Sequence, residues 1–150
     1  MTPHELETYL HQHIPITRAM QVSVLSVEPQ SVLLGAPLAP NINHRETVFG
    51  GSAATMATLA AWSLIHTRLL DAGKESRLVI QRNSMTYGQP ISGDFTARSV
   101  IMSPEAWPAF VRTFERRGRA RITASSDLLF AGNVVARFEG DFVALGGAVE

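Results

Sequence analysis

Between Thr2 and about His13, Leu6, Tyr9 and Leu10 recur at three- and four-residue spacing, and Pro3 suits a first helical position, so the chain opens with a short amphipathic helix. Pro15 ends it. From Met20 apolar and polar residues alternate until Leu25 and Val27 take over the apolar phase, the pattern of a bulged strand; a second strand, Ser31 to Leu38, follows the turn at Glu28-Pro29-Gln30. A polar, irregular stretch from Pro40 to Thr47 leads to Gly50-Gly51-Ser52, which opens a helix running to about Ala72-Gly73 and apolar nearly all round. Arg77 to Tyr87 reads as a strand with Val79, Met85 and Tyr87 on one face and Arg82 and Ser84 on the other. After the turn at Gly88 to Gly93 comes a strand from Phe95 to Met102. Ser103-Pro104-Glu105 then signals the start of a helix carrying Trp107, Phe110, Val111 and Phe114. Arg119 to Phe130 and Val134 to Leu145 form a long hairpin across a turn at Ala131-Gly132-Asn133. On its second strand Ala136, Phe138 and Phe142 face one way and Arg137, Glu139 and Asp141 the other, and the tail from Gly146 is expected to fray.

This order predicts an α+β fold, an antiparallel sheet of about six strands wrapped around one long central helix. Strands need one apolar face covered, and only a helix apolar all round fits within their grip. The 150 residues are expected to form a single domain, a length that buries about two thirds of the unfolded surface around one core. A composition 45% hydrophobic and 17% charged excludes intrinsic disorder for the body of the chain. A formal net charge of zero provides no global field for nucleic acid or anionic lipid. The absence of cysteine excludes a disulfide framework, a thiolate nucleophile and Cys-ligated metal. The uncharged run from Thr47 to Thr67 reaches membrane-spanning length, but its Gly, Ala, Ser and Thr content reads as a buried helix. Without a basic and apolar leader at the N-terminus, a cytoplasmic location is expected. His11 and His13 stand two apart, which on a helix points them away from each other, and no phosphate-loop or dinucleotide pattern occurs. Neither a metal site nor an organic cofactor is expected.

The candidate chemistry concentrates in the segment from Asn41 to Trp62. Gly50 and Gly51 at the first turn of a buried helix allow another molecule's carbonyl to approach free N–H groups at the positive end of the helix dipole, the physics of an oxyanion site. The same glycines would also serve a tight turn and close packing of sheet on helix. A polar Asn-containing loop, an aromatic-Gly-Gly helix start, and a strand leading to Pro90 and Gly93-Asp94 resemble the hotdog-fold thioesterases. More narrowly, Ala39-Pro40-Asn41-Ile42-Asn43, Phe49-Gly50-Gly51-Ser52 and Ala60-Ala61-Trp62 resemble the thioesterase domain that some proteobacterial proteins carry behind an N-acetyltransferase domain. The resemblance spans about Pro3 to Phe142.

The resemblance implies a homodimer or dimer of dimers with acyl-thioester sites between subunits, taking acyl-CoA or acyl carrier protein as substrate. It places the thioester carbonyl at the helix N-terminus and the pantetheine arm along a strand of the partner subunit. Related enzymes have a His before the glycine pair and an acid about two and a half helical turns later. Here those positions hold Phe49 and Thr58, and the helix has no carboxylate before Asp71. Candidates for the open role are Asn43, which would orient water, Thr58, the loop acid Glu46, His44 as general base or acid, and Asp127, whose other reading is a cross-strand pair with Arg137. Substrate contacts would fall to Asn41, Phe49, Ser52, Met56, Ser84 and Met85. Within the one local basic cluster, Arg116, Arg117 and Arg119 are candidates for phosphate binding, or else a solvated helix end. The reading is a thioester hydrolase using activated water, with a non-catalytic acyl-thioester binding module as the alternative and a dehydratase of the same fold third.

Overall fold

The structure is a computed structural model that describes residues 1–146. Its elements are α1 (Pro3–His13), α2 (Ile16–Ala19), β1 (Ser23–Val27), β2 (Val32–Ala36), a 3-10 turn (Ala39–Asn41), α3 (Gly50–Asp71), β3 (Arg77–Tyr87), β4 (Phe95–Ile101), α4 (Ala106–Arg117), β5 (Arg119–Phe130) and β6 (Asn133–Leu145). The strands form one six-stranded sheet in the order β1-β2-β4-β5-β6-β3, with every neighbour antiparallel. The α+β architecture expected from the pattern is present, and it is the hotdog fold that the resemblance implies.

The sheet closes on α3 because α3 offers it small residues and no Lys, Arg, Asp or Glu before Arg68. Ala53, Ala57, Ala60 and Ala61 are buried, and Met56, Leu64 and Ile65 are fully so. They pack in one cluster with Leu34, Phe95, Ala97, Leu128, Phe138 and Phe142 from the strands. Ser126 of β5 donates to the Ala57 carbonyl at 2.8 Å, a polar contact that only a close strand-to-helix approach permits. Met56, expected at an acyl pocket, is a core residue at 0% exposure. Among the described residues no helix is long and apolar enough to cross a membrane.

Four local readings are corrected. Val79 does not share a face with Met85 and Tyr87. Ile80 pairs with Phe142 and Arg82 with Asp141, so Gln81 is an extra residue, and this bulge reverses the alternation partway along β3. Leu78 before the bulge and Met85 after it both face α3, while Val79 points outward, 48% exposed. The first strand begins at Ser23 rather than Met20, because the short α2 and a left-handed Gln21 (φ 58°) intervene; the expected bulge falls at Leu25. The β5–β6 turn holds two residues, not three. Ala131 and Gly132 are both left-handed (φ 51° and 82°), and Asn133 already pairs with Phe130. The fourth helix starts at Ala106, after a turn closed by the Ala106 N–H on the Ser103 carbonyl. Of the tail expected to fray, all but Gly146 lies outside the described residues.

Candidate functional site

The start of α3 is fixed by the chain before it. Ile42 and Val48 bridge across the 43–47 loop. The Val48 N–H donates to the Ile91 carbonyl at 2.8 Å and the Phe49 N–H to the Asn41 carbonyl at 2.7 Å. Asn41 is anchored in turn, buried and donating from Nδ2 to the Met20 and Pro37 carbonyls at 3.0 and 2.8 Å. Phe49 supplies no side-chain cap, and the first turn contains no acid. The N–H groups of Gly50, Gly51 and Ser52 make no hydrogen bond among the described residues. Three donors aligned at the positive end of a 22-residue helix are suited to hold a carbonyl oxygen as it becomes negative.

Tyr87, the last residue of β3, donates its hydroxyl to the Gly50 carbonyl at 3.1 Å. It also lines a cleft of about 270 Å³ with Val48, Ala53, Pro90, Ile91 and Ala136. Sequence reasoning missed Tyr87 as a site residue. Its signal was an aromatic side chain directly ahead of the Gly88-Gln89-Pro90 turn, but only the antiparallel run of β3 beside α3 brings it to Gly50. Phe49, more than half exposed, leans over Gly51. Phe49, Gly50, Gly51 and Ser52 thus meet at one point, joined by Tyr87, whereas Asn41, expected to contact substrate, reaches it only through its backbone carbonyl, its buried side chain being turned to Met20 and Pro37.

The 43–47 loop borders that point. Asn43 is the loop's internal clasp. Its Oδ1 accepts from the Arg45 and Thr47 N–H groups at 2.8 and 3.1 Å, and its Nδ2 donates to the Thr47 hydroxyl at 3.0 Å. His44 and Glu46 are exposed, and Glu46 is left-handed (φ 63°) with its N–H on the Asn43 carbonyl at 3.2 Å. Thr58 lies eight residues beyond Gly50, about 12 Å along the axis. It is half-buried and returns its hydroxyl to the Ala54 carbonyl at 2.8 Å.

Other candidates lie elsewhere. Asp127 projects from the outer sheet face, 3.9 Å from Arg137, the cross-strand pair anticipated as its alternative. Ser84 shares that face with its cross-strand partner Glu139 and neighbours Arg82 and Asp141, whereas Met85 packs partly buried against the core. Arg117, Arg119 and Arg121 surround a groove of about 400 Å³ with Gln81 and Thr113. Gln81 stands six residues before Tyr87 on β3, so that groove is about 20 Å from the start of α3 in the same chain. Arg116 is exposed on α4 nearby. Among the described residues no three metal-ligating side chains converge.

One titratable group unmentioned so far is displaced. His66 stacks against both Tyr9 of α1 (4.9 Å between ring centroids) and Trp62 (4.6 Å), which are 6.1 Å from each other, and among the described residues its buried Nε2 has no partner. Burial, then the nearby N-terminal ammonium, push its pKa below the ordinary histidine value. It belongs to the α1–α3 seam rather than to the site.

Residues 3–146 match the YiiD_C family, whose description is "Putative thioesterase (yiiD_Cterm)". A protein of unknown function from Chlorobaculum tepidum TLS superposes with a TM-score of 0.91 at 26% identity, covering 97% of this chain and 98% of that one. "The putative thioesterase from Shewanella oneidensis" gives 0.83 at 25% identity over 96% and 97% of the two chains. A "probable thioesterase" of unknown function from Pseudomonas aeruginosa gives 0.80 at 22% identity over 97% of both, a likeness of fold.

Proposed function

The chain belongs to the YiiD_C thioesterase family, and from that premise we propose that it hydrolyses an acyl thioester of coenzyme A or acyl carrier protein at the start of α3. The observation that carries the reading is the row of three unbonded N–H groups at Gly50, Gly51 and Ser52 beside an apolar cleft. In this mechanism the thioester carbonyl oxygen accepts from these amides while water attacks the carbonyl carbon. The C–S bond then breaks, water's oxygen stays with the acyl group as a carboxylic acid, and the departing sulfur leaves as the thiol with a proton from that water. The water approaches from the 43–47 loop, where His44 and Glu46 are the two side chains able to take a proton.

The working unit we propose is a homodimer, or a dimer of such dimers, joined through β3. This edge strand exposes Val79, Ile80 and Tyr87. Antiparallel pairing of two β3 edges brings the Arg77 end of one copy, the end that carries the arginine groove, beside the Tyr87 end of the other. The partner's arginine groove then comes within reach of a phosphate-bearing thiol carrier at this chain's α3. The alternative, a module that binds acyl thioesters without cleaving them, is favoured by the Thr58 hydroxyl being turned back onto its own helix.

The test is thiol release from an acyl-CoA panel and one acyl carrier protein by the wild type and Gly50→Pro. Proline is favoured at a first helical position, and Phe49 (φ −58°, ψ 134°) already has the extended conformation that precedes proline. The substitution therefore removes one donor and leaves the helix. A fall in kcat of about 100- to 1000-fold supports the oxyanion role. Saturable binding of acyl-CoA with no thiol release from the wild type selects the binding module.

A further inference from the structure

Phe49 and Tyr87 are exposed by 57% and 55% in a protein that buries its other large aromatic side chains to a greater extent. Half-exposed rings stabilise a core little, yet both are held against the two glycines. A side-chain carbon on Gly51 would collide with Cε2 of Phe49 and stand 3.0 Å from its Cδ2. One on Gly50 would meet Tyr87 Cε1 at 3.7 Å, and the Tyr87 hydroxyl is tied to the Gly50 carbonyl. Successive residues of a helix point about 100° apart, so the two rings stand on different sides of the first turn. The free N–H groups, which lie along the helix axis, open between them. The cleft behind Tyr87, about 270 Å³, is smaller than the pockets that take drug-sized ligands.

We infer that Phe49 and Tyr87 are the walls of the acyl slot and that its width sets specificity: small planar acyl groups, conjugated or aromatic, enter, and acyl groups branched next to the carbonyl are refused. The inference rests on the thioesterase reading and names its substrate class. A planar group passes between the two side chains and keeps its carbonyl on the amides. A branched carbon needs width in a second direction, which the ring of Phe49 occupies. Gly51 is part of the device, since any larger residue there displaces that ring.

The experiment measures kcat/KM for crotonyl-, benzoyl-, isobutyryl- and pivaloyl-CoA in the wild type and in Phe49→Ala, Phe49→Tyr and Gly51→Ala. The wild type is expected to favour the planar pair by at least about tenfold, within the range that one misfitting methyl group produces. Phe49→Ala and Gly51→Ala each bring that ratio to within about threefold, chiefly by raising turnover of the branched substrates, while Phe49→Tyr keeps it. A wild type that releases thiol from all four at equal rates, or a ratio that survives Phe49→Ala, overturns the inference and leaves the thioesterase reading standing. No release from any thioester overturns both.

Discussion

The two edges of the sheet are treated in opposite ways. At the β1 edge, α1 lies alongside the strand. The Glu7 carboxylate accepts from the Val24 N–H at 2.8 Å, His11 Nε2 contacts the Val22 carbonyl at 2.8 Å, and Leu6 and Leu10 are fully buried beneath. At the β3 edge, among the described residues, no helix lies alongside; the Trp62 indole N–H donates to the Leu78 carbonyl at 2.9 Å, and the eleven-residue strand leaves three large hydrophobics exposed. An open edge invites pairing with another chain, and this chain uses a helix to prevent it on one side only. The difference divides labour: the covered edge supports the fold, and the open edge lies next to the start of α3, where the chemistry is proposed.

The comparison breaks most severely at Leu10. Leu10→Ala empties a fully buried site and is expected to cost about 2–5 kcal/mol in denaturant unfolding, with turnover per folded molecule unchanged. At the open edge, Val79→Lys with Ile80→Lys is expected to leave thermal unfolding of the monomer within about 0.5 kcal/mol. The pair should abolish the proposed β3 dimer in sedimentation and thiol release with it. A dimer that persists would place the interface elsewhere. Glu7→Ala removes the acceptor of the Val24 N–H and should cost about 1–2 kcal/mol, measured the same way as Leu10→Ala. The smallest effect is in pH. His66 has a lowered pKa in the folded chain, so below the ordinary value of 6.5 the unfolded chain binds more protons than the folded one. Stability should therefore be full above that value and decline as pH falls from it toward the folded pKa. His66→Phe should flatten this slope in urea titrations without altering stability at neutral pH.

Periodicity revealed the elements better than their neighbours. The uniform apolar character of α3 and the alternation of Ala136, Phe138 and Phe142 could be read directly, because burial on all sides or on one side leaves a regular trace. Val79 was misplaced because a single extra residue, Gln81, inverts every position before it, and a bulge has no composition of its own. The position of β3 beside β6 rather than β4 is a long-range pairing that no local pattern records. At the site, Gly50 and Gly51 were legible as a helix start open to approach. Asn43 stood out by residue type, but the structure shows its amide engaged within the loop, and a residue type cannot tell which partner it has found. Tyr87 was invisible as a site residue because its contact with Gly50 spans thirty-seven positions.

The ring cluster at the α1–α3 seam also makes the molecule its own optical reporter. The chain has two tryptophans. Trp62 lies against both His66 and Tyr9, while Trp107 sits under the Arg68 guanidinium at 4.2 Å on the α4 side. Emission from a Trp107→Phe chain therefore follows the departure of the N-terminal helix alone. Emission from a Trp62→Phe chain follows α4 alone, so the two peripheral helices can be watched separately with no dye attached.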